Sequence, residues 1–229
     1  MLSRQLYRSL FAVIVSTAVL SAATVVAMKL PTPRGSFLPA SFITHSMMLV
    51  LSVVAILLIS KRRLDLYGFT RGTFRFRPQI LLWALPTAML ATAQALALPR
   101  GQAPHMLFPL TKIQTVLFVW IYASICEETL VRGLFQTMLR GASAADTDTR
   151  VGLSYRVTMS GLFFGAMHLV LIRMIGIAAI PIAVMTGFLG CVLAWYRERT
   201  GSLLPSILIH ALFNIGGAVP IWLVVWLRG

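Results

Sequence analysis

Seven apolar runs of about twenty residues each, closed off by Lys, Arg, Pro or Gly, take up most of this 229-residue chain. Bilayer hydrocarbon is about 30 Å thick, and a helix needs roughly 20 apolar residues to cross it. The runs cover residues 10–28, 38–60, 80–98, 113–139, 157–175, 177–196 and 203–227. Hydrocarbon offers backbone amides no water, so runs of this length are expected to be helices that satisfy their own hydrogen bonds. The expected fold is all-α: one integral membrane domain over residues 1–229, a polytopic bundle of about seven transmembrane helices. Gly216, Gly217 and Pro220 interrupt the last run. Eight spans, with that run split in two, is the alternative.

With 58% apolar residues and 11% charged, the composition is outside the range of soluble domains. Twenty Lys and Arg against six Asp and Glu leave a net charge of +14. On a soluble protein that excess would suggest nucleic acid, but here it sits between apolar runs, and no nucleic-acid partner is expected. With a cytoplasmic N-terminus, the inner side holds Arg4 and Arg8, then Lys61, Arg62, Arg63, Arg71, Arg75 and Arg77, then Arg140, Arg150 and Arg156, then Arg197 and Arg199. The outer side holds Lys29, Arg34, Arg100, Lys112, Arg173 and Arg228. This imbalance follows the positive-inside rule. The basic stretch from Lys61 to Pro78 also carries Tyr67, Phe69, Phe74 and Phe76. Membrane insertion alone accounts for it, and anionic lipids at the inner basic loops are its expected partner.

Arg4 and Arg8 before an apolar run, with Ser21-Ala22-Ala23 beyond, outline a signal peptide. The run continues through Val25, Val26 and Ala27, so a membrane anchor is the better account. The basic inner loops, short connections and lack of an organelle address point to the inner membrane of a bacterium. Cys126 and Cys191 both fall in apolar stretches, which excludes a disulfide framework or a paired-cysteine zinc site.

An ionised side chain at mid-bilayer costs about 2.5–3.5 kcal/mol on insertion scales, so each one marks a candidate site. Asp65, Asp146, Asp148 and Glu198 fall in loops or at span ends, leaving Glu127 and Glu128 inside the fourth run. His168 lies in the fifth run, and His210 and Asn214 in the seventh. Glu128 and Arg132 are four residues apart with the acid first, the favourable order for an ion pair on one helix face. Glu127 is rotated by about 100° from Glu128, so it is left free for chemistry. Counted from the inner ends of their helices, Glu127, His168, His210 and Asn214 all lie roughly 12–20 Å deep. Three helices can therefore aim them at one cavity, expected to open on the cytoplasmic side. Gly161 and Gly165 form a small-xxx-small pair that lets a neighbour approach the His168 helix closely. Phe164, one turn before His168, reads mainly as packing. Ser202 is the expected N-cap of the last helix, with Pro205 in its first turn. His45, in the second run, and Cys126 show no partner in the sequence and also read as packing. His105 falls in an outer loop, and Arg173 at a span end can snorkel.

In order along the chain stand Glu127-Glu128-x-x-x-Arg132, Phe164-x-x-x-His168 and His210-x-x-x-Asn214, with Arg199-Thr200-Gly201-Ser202-Leu203 leading into the last. This pattern resembles the CPBP family, the CAAX-protease and bacteriocin-processing intramembrane endopeptidases related to the enzyme that trims Ras-type prenyl proteins. The resemblance covers roughly residues 113–217; the three spans within residues 1–112 are similar only in being hydrophobic. It implies that Glu127 and His168 activate a water for attack on a peptide carbonyl and that His210 and Asn214 stabilise the oxyanion. Glu128, Arg132 and Phe164 would support them, without a cofactor. The substrate would be a peptide or protein at the membrane. Glutamate and histidine are also zinc ligands, so zinc at His168, His210 and Glu127 is the alternative, although His-Glu-x-x-His is absent. A transporter or a non-catalytic immunity protein is the remaining reading. A transporter would scatter its polar residues through the membrane depth and across both halves of the chain.

Overall fold

A chain with more large apolar side chains than one interior can hold must turn the rest toward something other than water. Leu58, Met89, Leu162, Val184, Phe188 and Trp226 all lie on the outside of the bundle, a surface suited to lipid. The computed structural model describes residues 2–30, 32, 35–97, 110–140 and 153–228. Arg34, Arg100, His105, Asp146, Asp148 and Arg150 lie outside the described residues.

The described residues form helices α1 (Leu2–Lys29), α2 (Ser41–Ser60), α3 (Leu85–Ala97), α4 (Lys112–Met138), α5 (Tyr155–His168), α6 (Ala179–Thr200) and α7 (Leu204–Arg228), with no strand among them. A 3₁₀ segment, Pro78–Ala84, runs directly into α3. Among the described residues, six stretches are long and apolar enough to cross a bilayer: Gln5–Lys29, Ser41–Ser60, Pro78–Leu96, Lys112–Met138, Ala179–Thr200 and Leu204–Val224. The protein is a multi-pass, all-helical membrane bundle.

The fifth run departs from the sequence expectation, and the last follows its main reading. The fifth run does not fold as one helix over residues 157–175. Instead α5 stops at His168 and gives way to a 3₁₀ turn at Leu169–Leu171, a short helix at Ile172–Ile175 and Gly176. Val170, Ile172, Ile175 and Ile177 are β-branched or border the break, and such residues favour helix only weakly. Gly176, at φ 62° and ψ −148°, adopts a conformation open almost only to glycine. The last run is a single helix, not two pieces, and it continues through Gly216, Gly217 and Pro220. Gly216 has a packing reason: a Cβ there would stand 2.2 Å from the Ala84 carbonyl oxygen, so its absence lets the start of α3 press against α7.

The basic ends of the helices are tied together. Arg8 donates to the Arg140 carbonyl, and Arg156 pairs with Glu198 at 3.0 Å. Arg197 donates to the Leu66 carbonyl at 2.9 Å. Gly72, at φ 55°, lies so close to Thr200 that a Cβ would come within 2.0 Å of its carbonyl oxygen. The basic loop between α2 and α3 is thus docked on the α6–α7 turn. Ser202 accepts from the Leu204 amide at 3.1 Å while donating to the Thr70 carbonyl.

Small residues set the approach of α5 to α6. A Cβ on Gly161 would stand 2.3 Å from Cys191 Sγ and 2.8 Å from the Gly187 carbonyl; one on Gly165 would stand 2.8 Å from the Ala183 carbonyl. Gly161→Val is therefore expected to destabilise the protein by about 1–3 kcal/mol, the usual cost of overpacking. Thermal unfolding in detergent measures it, and an unchanged melting temperature would contradict this packing.

Candidate active site

Helix α4 carries the acids in an uncommon backbone. Two π-helical stretches, Thr115–Ala123 and Thr129–Phe135, enclose a single α turn, Ser124–Glu128. Such wide turns often mark functional sites in helices. Glu127 and Glu128 close that turn, and their rotation about the axis separates their surroundings.

Glu128 and Arg132 are both fully buried. One Glu128 oxygen, Oε1, accepts from Arg132 Nη1 at 2.8 Å and from His210 Nδ1 at 2.9 Å. Arg132 Nη2 reaches across to donate to the Gly190 carbonyl on α6 at 2.8 Å. The Arg132 guanidinium also lies over the Phe164 ring, 4.5 Å from its centroid. Edge-on to the same ring stand His168 at 4.9 Å and His210 at 5.4 Å. Phe164, expected as packing, is the spacer that holds a cation and two imidazoles at fixed distances.

Glu127 has a different environment, and His45 is part of it. His45 Nε2 lies 3.3 Å from Glu127 Oε1, and His210 Nε2 lies 3.8 Å from Glu127 Oε2. The reading of His45 as partnerless packing is therefore corrected: its partner sits on α4, 82 positions away, where sequence spacing gives no signal. His168 joins this group through Phe164, whose ring it meets as His210 does.

The three imidazoles share one arrangement. His45 Nδ1 faces the Ser41 carbonyl at 2.8 Å, and His168 Nδ1 faces the Phe164 carbonyl at 2.9 Å. A carbonyl oxygen can only accept, so each Nδ1 carries its proton. Glu128, ion-paired with Arg132, also accepts, which places the His210 proton on Nδ1 too. In each ring Nδ1 is the anchored nitrogen, and the Nε2 atoms of His45 and His210 point at Glu127.

Asn214 is placed differently from the other three. Its amide donates to the Val119 carbonyl at 3.0 Å and to Ser124 Oγ at 3.2 Å, and Ser124 in turn donates to the Trp120 carbonyl at 2.7 Å. Both Asn214 N–H groups are thus spent on the backbone and hydroxyl of α4, within the turn that leads to Glu127.

Toward the basic end, Leu130, Val131, Arg132, Leu134 and Phe135 are fully buried, and Arg132 helps to line a pocket with Gln136, Thr137, Arg140, Arg156, Arg197 and Glu198. The His45 and Glu127 side chains keep 19% and 16% of their surface exposed. The partly exposed flank of Glu127 is thus shared with His45, near the start of α2. Among the described residues, no cluster of three His, Cys, Asp or Glu side chains is arranged to hold a metal ion.

With this geometry in place, comparison with known proteins adds one match: the family model described as type II CAAX prenyl endopeptidase Rce1-like covers residues 109–216. Residues 109–216 belong to this family. The match spans α4 to α7 up to Gly216 and so includes Glu127, Glu128, Arg132, His168, His210 and Asn214. No curated protein and no solved structure matches the chain.

The Glu128–Arg132 pair makes a prediction of its own. Arg132→Met leaves a buried carboxylate without its cation, at an expected cost of about 3–5 kcal/mol. Adding Glu128→Gln to that variant should restore part of the loss, because a neutral amide replaces the stranded charge. Melting temperatures of the single and double variants test it; a double variant no more stable than Arg132→Met would contradict it.

Proposed function

We propose that the protein is an intramembrane endopeptidase that hydrolyses a peptide bond in a membrane-proximal peptide, using a water activated by Glu127 and His168. The observation that carries this reading is the Glu127 carboxylate. Its Oε1 is held by His45, while its Oε2 has no hydrogen-bond partner among the described residues and faces His210 Nε2. At 3.8 Å, those two atoms can both lie within roughly 2.8 Å of a single water oxygen.

In this mechanism Glu127 Oε2 takes the proton of the attacking water, and His168 Nε2 orients that water toward the carbonyl carbon. The proton then passes from Glu127 to the leaving amide nitrogen as the C–N bond breaks. His210 stabilises the tetrahedral oxyanion. Its Nδ1–H is fixed on Glu128, so an Nε2 donor requires the imidazolium, whose charge lies between Glu128 and Glu127. Asn214 contributes by exchanging one of its bonds to α4 for the oxyanion. One such donor contributes about 3–4 kcal/mol to the transition state.

The substrate class is a processed peptide or protein at the membrane. The host is a bacterium, with the protein in its inner membrane, the N-terminus cytoplasmic and anionic lipid against the basic loop. We propose hydrolysis without a metal. A zinc-dependent version has one observation in its favour: imidazoles anchored at Nδ1 with Nε2 open are also oriented as metal ligands are.

The test is purified protein in lipid vesicles, assayed against a pool of prenylated and unmodified membrane-proximal peptides. Glu127→Gln and His168→Ala are each expected to reduce cleavage by at least about 10²-fold while the melting temperature holds. Cleavage that persists in Glu127→Gln would refute the mechanism. Activity is expected to survive exhaustive chelation; loss on chelation with recovery on added zinc would establish the metal-dependent version instead.

A further inference from the structure

His45 stands outside the residues matched by the family model, on a helix whose sequence is otherwise ordinary membrane span. Yet among the described residues it supplies the sole hydrogen bond to the Glu127 carboxylate. A histidine kept only for packing would need nothing beyond its Nδ1–H bond to Ser41. This one spends its second nitrogen on an acid in the middle of a membrane protein.

Proton counting defines the contact. Nδ1 carries a proton because the Ser41 carbonyl oxygen accepts it. Nε2 and Oε1 are 3.3 Å apart, and two lone pairs would repel there, so the contact holds one proton between them. With that proton on Nε2, Glu127 is a carboxylate whose Oε1 is occupied and whose Oε2 is free.

We propose that His45 is a positioning residue for Glu127: it donates Nε2–H to Oε1, fixes the carboxylate, and leaves Oε2 as the atom that receives the proton of water. This rests on the endopeptidase reading above. The balance is closed. Water gives one proton to Oε2, its oxygen bonds the carbonyl carbon, and the same proton leaves with the amine, while the Nε2 proton stays in place. The tether also explains why a base five residues from Arg132 stays ordered without that cation: its support comes from a different helix.

Two readouts test this on the full chain. The first needs no substrate. The protein has four histidines, and ¹⁵N-histidine spectra in detergent micelles assign the His45 signals as those lost in His45→Gln. In Glu127→Gln protein the His45 Nε2 resonance should shift; an unmoved resonance would overturn the contact and the proposal with it. The second is kinetic, on whichever peptide of the pool the wild type cleaves fastest. His45→Ala should lower kcat by about 10- to 100-fold, as loss of a supporting residue does, with KM nearly unchanged and an altered shape of the kcat–pH profile. His45→Gln, which can still donate to Oε1, should recover much of kcat. A uniform loss of folded protein with an unaltered pH profile, or no recovery by glutamine, would mean a merely structural histidine. The Glu127→Gln enzyme separates the two levels: if it still cleaves, the endopeptidase mechanism itself fails; if it is dead while His45→Ala is fully active, only the role of His45 fails.

Discussion

The buried ion pair of Glu128 and Arg132 is the constraint around which the second half of the bundle is arranged. Two charges with no exposed surface are costly in a membrane interior, and each offsets part of that cost with a hydrogen bond beyond the pair. Those bonds lead outward to two helices: to the Gly190 carbonyl of α6 and to His210 of α7. The ring of Phe164 on α5 lies beneath the guanidinium. Gly190 follows from the same demand, since a Cβ there would stand 3.2 Å from Arg132 Nη2 and 3.1 Å from Gly161 Cα. Four helices are thus registered on one charge pair, and the tight α5–α6 contact lets the arginine reach its acceptor.

Adjacent glutamates in one turn take opposite roles because a helix turns its neighbours to different faces. Glu128 meets a permanent cation and becomes part of the framework. Glu127 meets imidazoles, groups that can give or take a proton within the physiological range. The framework acid nevertheless acts on the reactive side, because it fixes which nitrogen of His210 carries hydrogen. The back-bonds from His45 to Ser41 and from His168 to Phe164 do the same for the other rings through the backbone alone. For His45 and His210 the orienting group holds the nitrogen farther from Glu127.

Much of this could be read from the chain before any coordinates. Apolar run length gave the membrane bundle, and the alternation of basic loops grouped the helix ends that Arg8, Arg156 and Arg197 tie together. The four-residue spacing gave the Glu128–Arg132 pair. What escaped were features decided by tertiary contact. The stop of α5 at His168 is a local weakness that an apolar count does not register. The bonds of Asn214 to Val119 and Ser124 arise from the wide turns of α4. His45 was misread because a lone imidazole in an apolar stretch has the same sequence signature whether or not an acid waits opposite it.

The family match begins at residue 109, but the carboxylate at its centre takes its hydrogen bond from α2. The boundary of similarity is therefore not the boundary of the working unit. A fragment excised at the start of α4 would retain every matched residue and still lack the donor that orients its acid. Variation among the leading helices of such proteins would then alter the reactive centre directly, and swapping those helices between relatives would change chemistry as well as anchorage.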